Sequence, residues 1–326
     1  MTEPLLTVRN LRVEFPTRRG ALVAVDNVSF HIDRGEILGV VGESGAGKSM
    51  TGAAIIGLLE APGRIAGGEI WFEGVRIDRL RYEEKRRIRG CKIGAIFQDP
   101  LTSLNPLYTV ERQLVETIRT HLDMTPREAR THALSLLDEV GIPAAKERMG
   151  HYPHQFSGGM RQRVVVALAL CANPNLIIAD EPTTALDVSI QAQIIALLKR
   201  LCREHGTAVM LVTHDMGVIA EAADRVAVMY AGRLAEIGPV RDVVHRPLHP
   251  YTAALMQSIP SVGRRVEFLT QIDGTMPRLS DIPSGCAFHP RCPQGMERCY
   301  DRQPQIIRQG ATAVACWLHE GDAPGV

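Results

Sequence analysis

The chain has 326 residues, 45% of them hydrophobic, with 37 basic against 36 acidic side chains. That length holds one large domain with an appendage or two modest domains, and a net charge of +1 offers no basic field for nucleic acid. No run approaches the ~20 apolar residues that cross a bilayer, so any link to a membrane is expected through partner proteins. The opening "MTEPLLTVRNLRVEF" lacks a basic segment followed by an apolar one, and a secretory signal is not expected. The seven cysteines are accordingly read as reduced thiols, metal ligands or core residues rather than disulfides.

In chain order, Phe15 comes first, in "LRVEF", an early strand where an aromatic is ordinarily core. The apolar run Ile37 to Val41 predicts a buried strand, and Met50 to Leu59 predicts a helix. Between them lies G-x-x-x-x-G-K-S: Gly42, Glu43, Ser44, Gly45, Ala46, Gly47, Lys48 and Ser49. Glycines let successive backbone N–H groups curl around a polyphosphate, and the helix beginning at Met50 aims its positive end at the same anion. Lys48 can reach the β- and γ-phosphates, and the Ser49 hydroxyl can hold Mg²⁺. The stretch 79–92, "RLRYEEKRRIRGCK", mixes charges of both signs and is expected to be a solvated linker.

Gln98, in "IFQDP", follows a short strand, where an amide can bind metal or water. "DMTPREARTHALSLLDEVGIP" carries a capping box, Thr125 with Glu128, and Pro126 at the first helical position; Gly141 and Pro143 end the helix. "FSGGMRQRVVVALAL" sets Ser157, Gly158 and Gly159 before an apolar helix expected to stop near Pro174. This second anion-binding helix start has a use if it closes on a nucleotide held by a partner subunit. "LIIADEP" is a strand ending in Asp180 and Glu181, placed to orient Mg²⁺ and to polarise an attacking water. "VMLVTHDM" ends a further strand in His214, within reach of a γ-phosphate.

Phosphate loop, Gln98, "SGG", "ADEP", "TALD" and His214, in this order, resemble the ATP-binding cassette (ABC) ATPases over about residues 5 to 240. The resemblance implies an α/β fold with a RecA-like core, an antiparallel β subdomain and a helical signature subdomain near residues 100–170. It also implies ATP and Mg²⁺ as cofactors, with Ser49, Gln98 and Asp180 around the metal. Gly42 to Ser49 would be Walker A, Gln98 the Q-loop, and Asp180 and Glu181 Walker B and the catalytic base. Ser157, Gly158 and Gly159 would be the signature acting in trans, Asp187 the D-loop, His214 the switch histidine, and Phe15 the ring stacked on adenine. Met160 stands where many cassettes carry Gln.

Beyond residue 240 the chain turns Pro-rich. "RPLHPYTAALMQSIPS" holds a short amphipathic stretch stopped at Pro260, followed by Cys286, Cys292, Cys299 and Cys316, spaced C-x5-C-x6-C-x16-C. That spacing lacks the C-x2–4-C pairs of structural zinc and the tighter runs of ferredoxins, so cluster, zinc and unliganded thiols all stay open, with His289 and His319 near enough for a mixed zinc site. Cys91, Cys171 and Cys202 are dispersed and expected to be packed side chains. "HPYTAALMQSIP" with "GCAFHPRCP", and also "FQDPLTSLNP" and "ADEPTTALDVSIQAQII", resemble the ATPases of oligopeptide, dipeptide and nickel importers.

That resemblance implies domains at 1–240 and 241–326 and a [4Fe–4S] cluster on the four tail cysteines, with zinc as the alternative. It implies a homologous ATPase as heterodimer partner, two permeases, indirectly an extracytoplasmic binding protein, and no nucleic acid. The expected place is the cytoplasmic face of the bacterial inner membrane, as a peripheral subunit that powers peptide import. A nickel or metal-chelate importer is the alternative. A soluble repair or translation cassette would carry coiled-coil insertions or a second cassette, neither of which the sequence shows. An iron–sulfur redox enzyme would need a second redox centre.

Overall fold

Apolar runs become strands in the computed structural model, which describes residues 3–18, 20–184, 186–258 and 272–320. In chain order these are β1 (Leu6–Thr17), β2 (Gly20–Ile32), β3 (Ile37–Val41), β4 (Arg64–Phe72), β5 (Val75–Arg76) and β6 (Ile93–Ile96). They continue with β7 (Leu176–Asp180), β8 (Ala208–Val212), β9 (Arg225–Tyr230), β10 (Arg233–Pro239), β11 (Ile307–Gln309) and β12 (Thr312–Val314). The chain divides into two compact units, one of Leu6–His31, Leu38–Asp78 and Val212–Val326, the other of Met1–Leu5, Ile32–Ile37 and Arg79–Leu211.

The first unit contains two sheets. One has the order β2-β1-β4-β5, with β1 antiparallel to β4 through Leu6 opposite Phe72 and Val8 opposite Ile70. The register shifts between Arg9 and Arg12, where Asn10 takes a left-handed φ of 48°, so Leu6, Val8, Leu11 and Val13 all face inward despite the broken alternation. The other sheet runs β11-β12-β10-β9-β3. Its β3 is buried along its whole length and pairs in parallel with β9, Leu38 opposite Arg225 and Val41 opposite Val228. Burying each of its Ile, Leu and Val side chains contributes roughly 1.5–3 kcal/mol, which fixes the strand that leads into the phosphate loop. Helix α1 (Lys48–Ile56) follows; it starts two residues before Met50 and stops at Gly57, left-handed at φ 68°, short of Leu59.

The second unit holds parallel strands in the order β8-β7-β6, with Ile93 opposite Leu176 and Ile96 opposite Ala179. The stretch expected as a linker is instead helix α2 (Tyr82–Ile88), with no buried residue; the Glu84 carboxylate accepts from the Arg81 N–H at 2.9 Å. Its charges go all round, so no apolar stripe announced it. The segment after Gln98 is helical: α3 (Pro100–Ser103), α4 (Val110–His121), α5 (Pro126–Glu139), α6 (Ala145–Arg148) and α7 (Gly158–Leu170). Helix α5 begins at the Thr125–Glu128 capping box and buries Ala129, Ala133, Leu136 and Leu137. Helix α7 ends four residues before Pro174, where Asn173 turns left-handed at φ 51°. Helix α8 (Val188–His205) follows, N-capped by Asp187.

In the first unit, α9 (Met216–Ala222) precedes β9, and β10 is followed by α10 (Val240–His245) and α11 (Pro250–Gln257). Pro260, the expected stop of that stretch, lies outside the described residues. The tail then adds a short helix, α12 (Arg298–Asp301), and strands β11 and β12. Strand β12 pairs antiparallel with β10, Glu236 opposite Val314, so the cysteine-bearing extension continues this unit's sheet. Despite its Pro-rich entry the tail has a core anchor: Phe288 is 2% exposed and packs edge-on against Tyr230, with Tyr251 and His249 beside it. Among the described residues no helix is long and apolar enough to cross a membrane.

Candidate functional site

The phosphate loop hangs from β3 in the first unit. Gly42 has φ 151°, and a Cβ there would lie 2.2 Å from the Met229 carbonyl oxygen; Gly47 has φ 97°, with a Cβ 2.7 Å from the Ala24 carbonyl oxygen. Only glycine fits at either position. The Lys48 ammonium donates to the carbonyls of Gly42 at 2.8 Å and Glu43 at 3.1 Å, so its charge sits inside the curve of the loop. Ser44, Gly45 and Ser49 are exposed, Ala46 is buried, and Gly47 starts α1 as its N-cap. Loop amides, the lysine and the helix start thus converge on one side, which suits a polyphosphate.

The same unit carries Phe15 and His214. Phe15 is half-buried in β1, and its ring lies so close to Gly63 that a Cβ there would be 2.8 Å from it. His214 is exposed two residues beyond the end of β8, in a turn where Thr213 N–H donates to the Val40 carbonyl at 3.1 Å.

In the second unit, β7 ends at Asp180, and the next residue, Glu181, takes a left-handed φ of 47°. That conformation is strained for a non-glycine residue and turns the side chain away from the strand's course. Two donors meet its carboxylate: Gln98 Nε2 at 3.1 Å and Thr184 Oγ1 at 2.8 Å, both on Oε2. Gln98 and Glu181 are therefore brought together; Thr184, absent from the sequence reading, has no spacing signal beyond its turn position three residues on. Glutamine, glutamate and the neighbouring Asp180 make an oxygen-rich donor set that suits Mg²⁺ and a metal-bound water.

Two further helix starts lie side by side here. Ser157 caps α7, its Oγ accepting from Met160 N–H at 3.4 Å, while Asp187 caps α8, accepting from Ile190 N–H at 3.0 Å and Ser189 Oγ at 2.8 Å. The Ile190 and Ser189 hydrogen bonds hold the Asp187 carboxyl below its usual range. Gly159 packs against Ile190, with a Cβ 2.7 Å from that side chain. Ser157, Gly158, Asp187 and Val188 are all exposed, Val188 by 81%. Met160 is held through its sulfur, which accepts from Arg148 at 3.2 Å.

The four tail cysteines, Cys286, Cys292, Cys299 and Cys316, line one cavity, which also meets His289, Met296 and Trp317. Gly285, left-handed at φ 67°, lets Cys286 N–H reach the Cys299 carbonyl at 2.9 Å. Burial pushes the Cys286 thiol up to about 11, and also raises Cys292 and Cys316. Tetrahedral zinc with Zn–S of 2.3 Å would need sulfurs about 3.8 Å apart. Among the described residues, the one group of three such ligand atoms within 4.8 Å of one another is Glu139, Glu204 and His205, so no three thiols approach that closely. His289 Nδ1 lies 2.9 Å from the Cys286 carbonyl and His319 Nε2 2.9 Å from the Leu248 carbonyl. As expected, Cys171 and Cys202 are buried; Cys91 is half-exposed.

With this geometry in place, comparison with known proteins is direct. Residues 25–184 match the ABC transporter family, and residues 235–299 match the oligopeptide/dipeptide transporter C-terminal region. The chain is 50% identical to a dipeptide transport ATP-binding protein of Bacillus subtilis, over 98% of this chain and 96% of that one. The chain belongs to the ABC transporter ATPases. It carries their oligopeptide/dipeptide C-terminal region. The oligopeptide transport ATP-binding protein of Escherichia coli is 49% identical, across 93% of this chain and 89% of its own. Among solved structures, the dimeric ATP-binding cassette MJ0796 bound to ADP and phosphate superposes with a TM-score of 0.65 at 31% identity, covering 72% of this chain and 99% of that one. This α/β cassette is the fold that the motif order implied.

Proposed function

We propose that this ABC ATPase powers import of dipeptides or oligopeptides, working at the cytoplasmic face of the bacterial inner membrane with a homologous ATPase, two permeases and, indirectly, a substrate-binding protein. The observation that carries the reading is the phosphate loop on a chain whose tail matches the oligopeptide/dipeptide region. In this reading, Gly42 to Met50 cradle the ATP phosphates, Phe15 stacks on adenine, and Ser49, Gln98 and Asp180 surround Mg²⁺. Glu181, oriented by Gln98 and Thr184, takes the proton of the attacking water. His214 contacts the γ-phosphate, and Ser157, Gly158, Gly159 and Asp187 face a nucleotide on the partner ATPase. The exposed, adjacent starts of α7 and α8 support that assignment.

The tail cysteines complete the reading. Four thiols that line one cavity, with no three within 4.8 Å of one another, support a centre larger than one ion. Cys286, Cys292, Cys299 and Cys316 would hold an iron–sulfur cluster, which would supply cross-linking of a tail with few strands of its own. Two experiments test the function. Vesicles containing the assembled transporter are expected to take up dipeptide only with ATP, and ATP turnover without peptide movement would reject the cargo. Anaerobic purification followed by iron, sulfide and zinc analysis is expected to find iron and sulfide; stoichiometric zinc alone would reject the cluster.

A further inference from the structure

Arg291 belongs to the cysteine tail by sequence, lying directly before Cys292, yet its side chain works elsewhere. It is 6% exposed and grips Glu43 with two nitrogens, Nη1 to Oε2 at 2.7 Å and Nη2 to Oε1 at 3.0 Å. Its remaining donors are also used: Nε donates to the Asp273 carbonyl at 2.7 Å, and Nη1 reaches the Tyr230 hydroxyl at 3.4 Å. Glu43 is the second residue of the phosphate loop. Its backbone N–H donates to the hydroxyl of Tyr251, on α11, at 2.9 Å. The extension therefore holds this one loop residue by both backbone and side chain.

The carboxylate of Glu43 poses an electrostatic problem. Phosphate cradles use backbone amides and a lysine, and a negative side chain beside Gly42 repels an approaching polyphosphate. A bidentate guanidinium neutralises that charge and fixes its direction, which an ammonium does less well.

We propose that Arg291 is a positioning residue for the phosphate loop, through which the C-terminal extension sets the affinity for the nucleotide's polyphosphate. The inference rests on the nucleotide-binding reading above. Its test titrates the purified full-length chain with a fluorescent ATP analogue for Kd and assays the assembled transporter for kcat and KM. Arg291→Ala is expected to raise Kd and KM for ATP about tenfold, with kcat nearly retained. Removing the exposed carboxylate as well, in Arg291→Ala with Glu43→Gln, is expected to bring Kd back to within about twofold of the parent. A purely structural role would lower the melting temperature in both variants without that rescue.

Arg291→Lys, which keeps a cation but not the fork, is expected to fall between parent and alanine, and it serves as the readout if the alanine variant does not fold. An unchanged Kd in the folded Arg291 variants, or a double variant as weak as Arg291→Ala, overturns the proposal. Failure of the parent chain itself to bind ATP would instead overturn the functional reading.

Discussion

Glu181 concentrates the chemistry at the residue scale. It has a left-handed φ of 47°, and Gln98 and Thr184 both donate to its Oε2, an arrangement that orients the carboxylate for the proposed role of base. Glu181→Gln is expected to keep ATP binding and lose about 10²–10⁴-fold in turnover, measured as single-turnover hydrolysis beside equilibrium binding. Near-parental rates would remove it as the base. Thr184→Val is expected to lower kcat with little change in KM, since it removes a donor that orients the carboxylate. Glu181 was legible because a carboxylate pair ending an apolar strand is chemically conspicuous. Thr184 and the Arg291–Glu43 pair were not. The latter joins residues 248 apart, and no local spacing encodes a contact of that range.

At the scale of elements, the phosphate loop is defined by what it cannot accommodate. Gly42→Ala would put a methyl 2.2 Å from the Met229 carbonyl oxygen on β9 and 3.0 Å from the Ala46 Cβ, neither of which is the end of a flexible side chain. That variant is expected to lose roughly 2–4 kcal/mol of stability, read by thermal melting, together with nucleotide binding. Capping chemistry made α5 readable to its first residue, because Thr125, Pro126 and Glu128 each satisfy a distinct need of a helix start. Helix α2 was missed for the opposite reason. It buries nothing, so its helicity rests on i,i+3 charge pairs such as Arg86 with Glu83 and leaves no hydrophobic period to detect. Strands β11 and β12 are three residues each, too short for an alternation to stand out, and only the pairing of β12 onto β10 and of β11 onto β12 makes them strands.

For the molecule as a whole, the exposed starts of α7 and α8 carry the prediction about assembly. In dimers built with one altered protomer, Ser157→Arg is expected to impair the ATP site of the opposite protomer and spare its own. A defect at the altered chain's own phosphate loop would refute action in trans. The motif order was enough to read the cassette fold, because nucleotide chemistry fixes residue types at strand ends. It said little about the tail, where structure comes from pairing with residues that are distant in sequence.

The Arg291–Glu43 contact also has a consequence in time. Chains emerge from the ribosome at about 5–20 residues per second, so roughly 12–50 s separate synthesis of Glu43 from synthesis of its partner 248 positions later. Through that interval a nascent cassette has its glycine loop but not the guanidinium that quiets it. If Arg291 tunes the loop as proposed, a nascent cassette is expected to bind nucleotide weakly until residue 291 has been made and folded onto it.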